Sequence, residues 1–313
     1  MAKRRLKLIN NQSPGDLVAL SAALRDLHRA YPGQFETDVL CNSPEIFAHN
    51  HHITPLEIDA PGVETILCEY PAVQESNQRA RHFLEAFIED LNEKLGLDIA
   101  LTEFRGDIHL CESEKNVRPS ILGDLKSAKP IWIVVAGGKF DFTIKWWHFR
   151  RWQAVVDHFQ DRVQFVQVGV KGDYHPRLKN VLDLRGKTSL RELIALVYHV
   201  DGVLCPVTAI MHLAAAVENR KGPGIVRPCV VVGGAREPVH WAAYSYHQYL
   251  HTIGSLDCCA TGACWRSRTV PLNDGTEHDQ EKRLCVNVSN HLPKCMDLIQ
   301  PGHVIERLSY FLA

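Results

Sequence analysis

Short apolar, β-branched runs alternate along this chain with stretches in which apolar residues return at helical spacing. Strands are predicted at 6–10, 36–41, 64–68, 108–111, 131–136, 163–168, 181–184, 202–205 and 229–232. After the first of them Leu17, Leu20, Leu24 and Leu27 fall on one helical face, and further helices are predicted over 77–95 and 146–159. Ser189, followed three residues later by Glu192, reads as a capping box that opens a helix to about Tyr198. Near the end, Val304, Ile305, Leu308 and Phe311 share one helical face within 301–312, which is predicted to pack back onto the body. Strands alternating with helices in this way make βαβ units and parallel sheets, so the fold class is α/β.

The polar region 116–129 contains Pro119 and is closed by Pro130, after which the apolar run Ile131-Trp132-Ile133-Val134-Val135 begins. A linker belongs there, dividing the chain into a Rossmann-like domain over 1–128 and a second over 129–313. A length of 313 residues, more than one hydrophobic core usually serves, asks for such a division.

Composition narrows the function classes. Thirty-five Lys and Arg against 36 Asp and Glu leave a formal net charge of −1, which excludes an extended nucleic-acid surface but leaves room for a local cationic pocket. The start, Met1 to Ile9, is basic without the apolar run of a signal peptide, and no apolar stretch approaches the length of a membrane span. The cytosol is the expected compartment. Of ten cysteines, Cys41, Cys68, Cys111, Cys205 and Cys229 are scattered through apolar runs and read as small buried hydrophobes. The other five crowd the last fifth of the chain.

Four places hold candidate chemistry. Ser13-Pro14-Gly15-Asp16 lies between the first strand and the first helix, where ligands gather in open α/β sheets. There Asp16 either takes a proton from an acceptor hydroxyl or merely caps the helix. Gly137-Gly138-Lys139 through Lys145 occupies the equivalent turn of the second half. Glycine-turn amides, a helix start and two ammonium groups suit a pyrophosphate, the alternative being a solvated loop. Thr208 and Ala209 open a small-residue helix after a buried strand ending at Pro206, with His212 about one turn in, as a ligand contact or a structural histidine. Last come Cys258-Cys259, Cys264, Cys285 and Cys295. Two pairs separated by a polar loop of about 20 residues match a thiolate metal site, with Cys259 or alternatively Cys258 joining Cys264, Cys285 and Cys295, the alternatives being coincidental reduced thiols or a disulfide pair. Zn²⁺ and iron suit such a site equally, and its role is structural because four thiolates close the shell.

These loops fall in an order and spacing that resemble glycosyltransferase family 9, the ADP-heptose transferases. Three stretches carry the likeness: Gly15-Asp16-Leu17 with Ala22 to Leu27 and Tyr31-Pro32-Gly33; Thr188 to Leu193 with Met211 to Ala216; and Gly233-Gly234-Ala235-Arg236-Glu237-Pro238 with Trp241. The resemblance implies a GT-B fold of two Rossmann-like domains facing across a cleft, acceptor on the first and nucleotide-sugar on the second. It also implies inverting transfer without a catalytic metal. Asp16 then corresponds to the family's general base, with Ser13 and Gly15 on the acceptor side. Lys145 corresponds to its lysine near the donor phosphates, and Thr208 and Ala209 to the backbone that receives the diphosphate. Gly137, Gly138, Lys139, Thr188 and His212 complete the donor side. Where the family usually has Asp-Ser/Thr-Gly, this chain reads Val207-Thr208-Ala209, so the acidic contact is absent or comes from elsewhere, Asp173 and Asp201 being nearby in sequence. The cysteine-rich tail resembles the iron-finger of the bacterial autotransporter heptosyltransferases.

The expected function is transfer of a heptose-like sugar from ADP-heptose to a hydroxyl of a glycan, lipid-linked sugar or protein, in lipopolysaccharide or protein glycosylation. An oligomer is compatible with the sequence. Two other readings stand beside it: a degenerate nucleotide-sugar-binding homologue, suggested by Val207, and another GT-B enzyme such as a UDP-sugar epimerase.

Overall fold

The computed structural model describes residues 3–69, 72–116, 122, 125 and 128–312. In chain order the first elements are β1 (Arg4–Asn10), α1 (Pro14–Ala30), β2 (Phe35–Cys41), β3 (Val63–Leu67), α2 (Phe83–Leu95) and α3 (Glu112–Asn116). Then come β4 (Ile131–Val134), α4 (Phe149–Phe159), β5 (Gln164–Gln167), β6 (Val181–Asp183), α5 (Leu190–His199), β7 (Gly202–Pro206) and α6 (Ala209–Ala216). The last are β8 (Cys229–Gly234), α7 (Val239–Ala242), β9 (Gln248–His251), β10 (Val288–Ser289), β11 (Leu292–Pro293), α8 (Lys294–Asp297) and α9 (Pro301–Ser309). The described residues group into two compact units. One draws on Met1–Ser120, Ser189–His199 and His212–Ile225, the other on Ile121–Thr188, Val200–Met211 and Val226–Ala313. Most of the expected linker, 117–121 together with 123, 124, 126 and 127, lies outside the described residues.

The first unit is built on a parallel sheet of order β2-β1-β3. Helix α1 buries Leu17, Leu20, Leu24 and Leu27 completely, as the spacing predicts. It also carries a buried ion pair. Arg25 binds Asp26 bidentately at 2.9 Å while reaching the carbonyls of Glu103 and Arg105, which pins the loop that follows α2. The segment 108–111, expected as a strand, is not one. Its flanking amides go to side chains instead, Asp107 to the Ser21 hydroxyl and Cys111 to Glu114, so no ladder forms. Helix α2 starts at Phe83 rather than near 77, because the His82 ring accepts the Leu84 amide and caps it there.

At the edge of this sheet four imidazoles meet. His28 stacks on His52 at 4.4 Å, His51 lies 4.0 Å from His52, and His109 meets His51 at 5.0 Å while bonding Asp107. Burial, then the neighbouring His28 and His51, push the His52 pKa down to about 4, against a modest pull upward from Asp107. The unfolded chain, whose histidine titrates near 6.5, therefore binds a proton that the folded chain refuses between those values. The stability this ring contributes is complete above pH 6.5 and is lost as pH falls toward 4. Urea midpoints should drop between pH 7.5 and pH 5, and His52→Phe should shrink that drop; an unchanged drop in the variant counts against the assignment.

The second unit holds a six-stranded parallel sheet of order β6-β5-β4-β7-β8-β9. Trp132, Val134, Leu204, Val230 and Val232 project from one face into a core with Trp152, Val155, Val156 and Phe159 of α4 and Val304 and Leu308 of α9. Each of the last two, fully buried, contributes roughly 1.5–3 kcal/mol, so the C-terminal helix packs onto the body as its spacing predicts. Strand β9 was not anticipated. It is an edge strand whose Gln248-Tyr249-Leu250-His251 sequence has no apolar run, because only one side of it meets a neighbour. Helix α4 begins at Phe149, capped by the His148 ring, after a short 3-10 segment over Phe140–Lys145 that kinks at Phe142. Among the described residues no helix is long and apolar enough to cross a membrane.

Candidate functional site

In the first unit Asp16 is the third residue of α1 and 5% exposed. Its Oδ2 accepts the Ser13 amide at 2.8 Å, and the Ser13 carbonyl accepts the Asp16 amide at 2.9 Å. The carboxylate thus contributes to the helix start. Gly15 is buried beside it.

In the second unit Gly137, Gly138 and Lys139 come after β4, and Thr208 and Ala209 after its neighbour β7, at the carboxyl ends of the strands, where open parallel sheets bind ligands. Gly137 has φ +104°, and a Cβ there would lie 1.9 Å from the Tyr174 carbonyl oxygen, so only glycine fits. Gly138 exchanges both backbone hydrogen bonds with Tyr174, at 2.8 and 3.2 Å. The Trp146 ring lies against Tyr174 at 4.3 Å, tilted by 31°, and its buried indole N–H finds no hydrogen-bond partner among the described residues. Lys139 precedes the 3-10 segment that Lys145 ends. Thr208 and Ala209 follow β7 after Val207, Ala209 being the first residue of α6. Thr188 is half-buried just before α5, whose predicted cap is formed: the Ser189 amide donates to Glu192 at 2.7 Å. His212 is placed differently, with its ring 5.4 Å from Phe83 in the first unit. Asp201 is at the wrong end of β7 to replace the missing family acid. It accepts the Ile131 amide at 2.9 Å, at the amino edge of the sheet. Asp173 adjoins Tyr174 in the turn that pairs with Gly138.

Lys145 meets a partner that spacing did not reveal. Its ammonium lies 2.5 Å from a carboxylate oxygen of Glu237, in the loop after β8, and Arg236 bonds the same oxygen. Glu237 is 8% exposed. The available signal was an adjacent pair of opposite charges directly beyond a fully buried strand and two glycines. A groove of about 730 Å³ along β9, lined among others by His240, His251 and His303, includes none of these residues.

The clustered cysteines lie in the second unit. Cys264 is tied to Ala235 and Cys285 to Arg268 by backbone bonds, and β10 and β11 form a hairpin between Cys285 and Cys295. Burial raises the thiols of Cys258, Cys264 and Cys285 and pushes Cys295 up to about 12, with Cys264 and Cys285 adding to the last. Backbone hydrogen bonds at Arg266, Asn287 and Ala235 act the other way on Cys264, Cys285 and Cys295, and the Cys285 thiol donates to the Asn287 carbonyl at 3.3 Å. Cys259 is buried in the core and faces the Thr252 carbonyl at 3.6 Å. Among the described residues, the one set of three candidate ligand atoms within 4.8 Å of one another is elsewhere, at His49, Cys111 and Glu114. There Glu114 is already held bidentately by Arg191 at 2.6 Å. The cysteine loop also has a means of order other than metal. Arg268, 0% exposed, bonds Asp274 at 2.7 and 2.9 Å, Asp279 at 2.5 Å and the Phe140 carbonyl at 3.2 Å.

No curated protein matches the chain. Among solved structures it is similar to a glycosyltransferase family 9 protein from Veillonella parvula, with 13% identity over 99% of this chain and 97% of that one, at a TM-score of 0.67. It is similar to E. coli ADP-heptose LPS heptosyltransferase II, with 13% identity over 98% of each chain and a TM-score of 0.62. It is also similar to TibC of enterotoxigenic E. coli, an iron-containing dodecameric heptosyltransferase seen in complex with ADP-D-beta-D-heptose. There the identity is 14% over 99% of this chain and 76% of that one, with a TM-score of 0.66. These likenesses match the parallel α/β architecture to that of the GT-B heptosyltransferases. The family model of glycosyltransferase family 9 (heptosyltransferase) matches residues 70–255, more than half of the chain, and the protein therefore belongs to this family of enzymes.

Proposed function

We propose that this glycosyltransferase moves a heptose-like sugar from ADP-heptose to a hydroxyl acceptor with inversion at the anomeric carbon. The observation that carries the donor half is the group of cations at the carboxyl edge of the six-stranded sheet, Lys145 beside Arg236, next to the Gly137 turn and an unsatisfied indole donor. Such donors suit the charge that develops on a departing diphosphate. Asp16 takes the acceptor proton as the acceptor oxygen bonds to the anomeric carbon. The bond from that carbon to the diphosphate oxygen breaks, and its electron pair leaves with the phosphate, beside Lys145 and the amides at Thr208 and Ala209. ADP is the expected nucleotide because a structural neighbour, TibC, is seen with ADP-D-beta-D-heptose. In this reading 1–128 receives the acceptor, a glycan, lipid-linked or protein hydroxyl, and 129–313 the donor. The reaction is placed in the cytoplasm, and assembly into an oligomer is compatible with it.

Melting with ADP and with UDP tests the donor class, because a ligand that binds only the folded state stabilises it by mass action. The melting temperature should rise with ADP more than with UDP. Preference for UDP would favour the epimerase reading, and binding without turnover of any ADP-sugar the degenerate one.

The cysteine cluster is read as a structural site for iron or zinc, held by Cys264, Cys285, Cys295 and Cys259, or by Cys258 in place of Cys259. The crowding of these cysteines into one segment of the second unit, with the β10–β11 hairpin between Cys285 and Cys295, supports that reading, and the ion contributes folding energy rather than chemistry. Elemental analysis of the purified protein should find one metal per chain, lost in Cys285→Ser. Protein that contains no metal and melts unchanged with a chelator contradicts it.

A further inference from the structure

Resting on that donor reading, we propose that Arg236 is a second diphosphate-binding cation and that Glu237 is the positioning residue that holds both Arg236 and Lys145 in place. The guanidinium of Arg236 is held by two rings and through two of its nitrogens. Its centre lies 4.8 Å over the Phe142 ring and 5.1 Å over the Trp265 ring, its Nε donates to the Arg266 carbonyl at 2.8 Å, and another edge binds Glu237. Lys145 sits over the same Phe142 ring at 5.5 Å and shares the same Glu237 oxygen. One buried carboxylate between two cations leaves the group with net positive charge, the complement of a diphosphate. Stacked, planar and edge-bonded, the guanidinium has little freedom left to lose when it pairs with phosphate.

Two further features belong to the same place. Trp265 holds φ +51°, in the left-handed region that bulky residues seldom adopt, and its ring is what supports Arg236 from one side. The Tyr249 hydroxyl is buried without a hydrogen-bond partner among the described residues. Its ring lies where a Cβ on Gly233 would be 2.5 Å away, close enough to Glu237 and Arg236 for their charges to act on it. Trp265 and Arg266 directly follow Cys264, so the cysteine-rich segment forms one wall of the donor site.

The test measures ADP and AMP affinity by calorimetry on the full chain and on Arg236→Met, Lys145→Met and Glu237→Gln, with melting curves to establish folding. Arg236→Met should weaken ADP about ten- to a hundredfold, the usual worth of a charged hydrogen bond, and AMP much less, with Arg236→Lys restoring part of the loss. Glu237→Gln should move the other way, binding ADP at least as tightly because the competing charge is gone, while kcat falls more than KM. A purely structural ion pair would instead weaken ADP in all three variants alike. That result, or a folded Arg236→Met that binds ADP like wild type, overturns the proposal. Wild-type protein that binds neither ADP nor UDP would instead overturn the donor reading, and this inference with it. If Arg236→Met does not fold, Arg236→Lys decides the matter: ADP bound more weakly than by wild type with AMP affinity little changed supports the proposal, and wild-type affinity for both overturns it.

Discussion

Asp16→Asn is expected to slow glycosyl transfer by about a hundred- to ten-thousandfold while ADP affinity stays at the wild-type level. The asparagine keeps an acceptor oxygen for the Ser13 amide, which Asp16 holds at 2.8 Å, so the start of α1 should survive the change. What it cannot keep is the capacity to take a proton. The position favours an ionised carboxylate, because the aligned peptide dipoles give the head of a helix of 17 residues partial positive charge. Steady-state rates set beside ADP binding separate the two roles. A loss of stability with a proportionate loss of everything else would mean that Asp16 only caps the helix, and a near-normal rate would remove it from the chemistry.

Lys145→Met is expected to cost about a hundred- to a thousandfold in kcat/KM, the range typical for a donor that stabilises leaving-group charge. Methionine retains the length and apolar stem of lysine, so packing over Phe142 should be preserved. The ammonium is 2.5 Å from Glu237, and its removal leaves that buried carboxylate with Arg236 among its remaining partners. The effect should therefore divide between chemistry and ADP affinity, unlike that of Asp16→Asn. Measuring both constants at two salt concentrations checks this, because loss of a phosphate-facing cation should flatten the dependence of binding on salt. Equal kcat/KM in wild type and variant would contradict the assignment.

The parts of this molecule written in local pattern were legible before its structure. Parallel strands buried on both faces read as apolar runs, and β4, β7 and β8 stand where such runs predicted. The Ser189–Glu192 cap was legible for the same reason, since its partners are three residues apart. Failures came where long-range pairing decides. Residues 108–111 have strand composition but surrender their flanking amides to Ser21 and Glu114, and β9 earns its ladder from β8 alone. Asp201 is near Thr208 in sequence, yet a strand of five residues carries them to opposite edges of the sheet. The Lys145–Glu237 contact joins residues on loops after different strands, and no periodicity announces it. Arg268 was likewise invisible as an organiser of the cysteine loop, because Asp274 and Asp279 become its partners only once the loop is folded.

The claim on which the rest depends is sugar transfer from an adenosine diphosphate donor. Incubating the purified full chain with a panel of nucleotide-sugars and following nucleotide release by mass spectrometry tests it most directly. The account predicts that ADP-heptose is consumed with release of ADP, and that Asp16→Asn largely stops the release. Consumption of a UDP-sugar alone, with ADP-sugars left untouched, would contradict it.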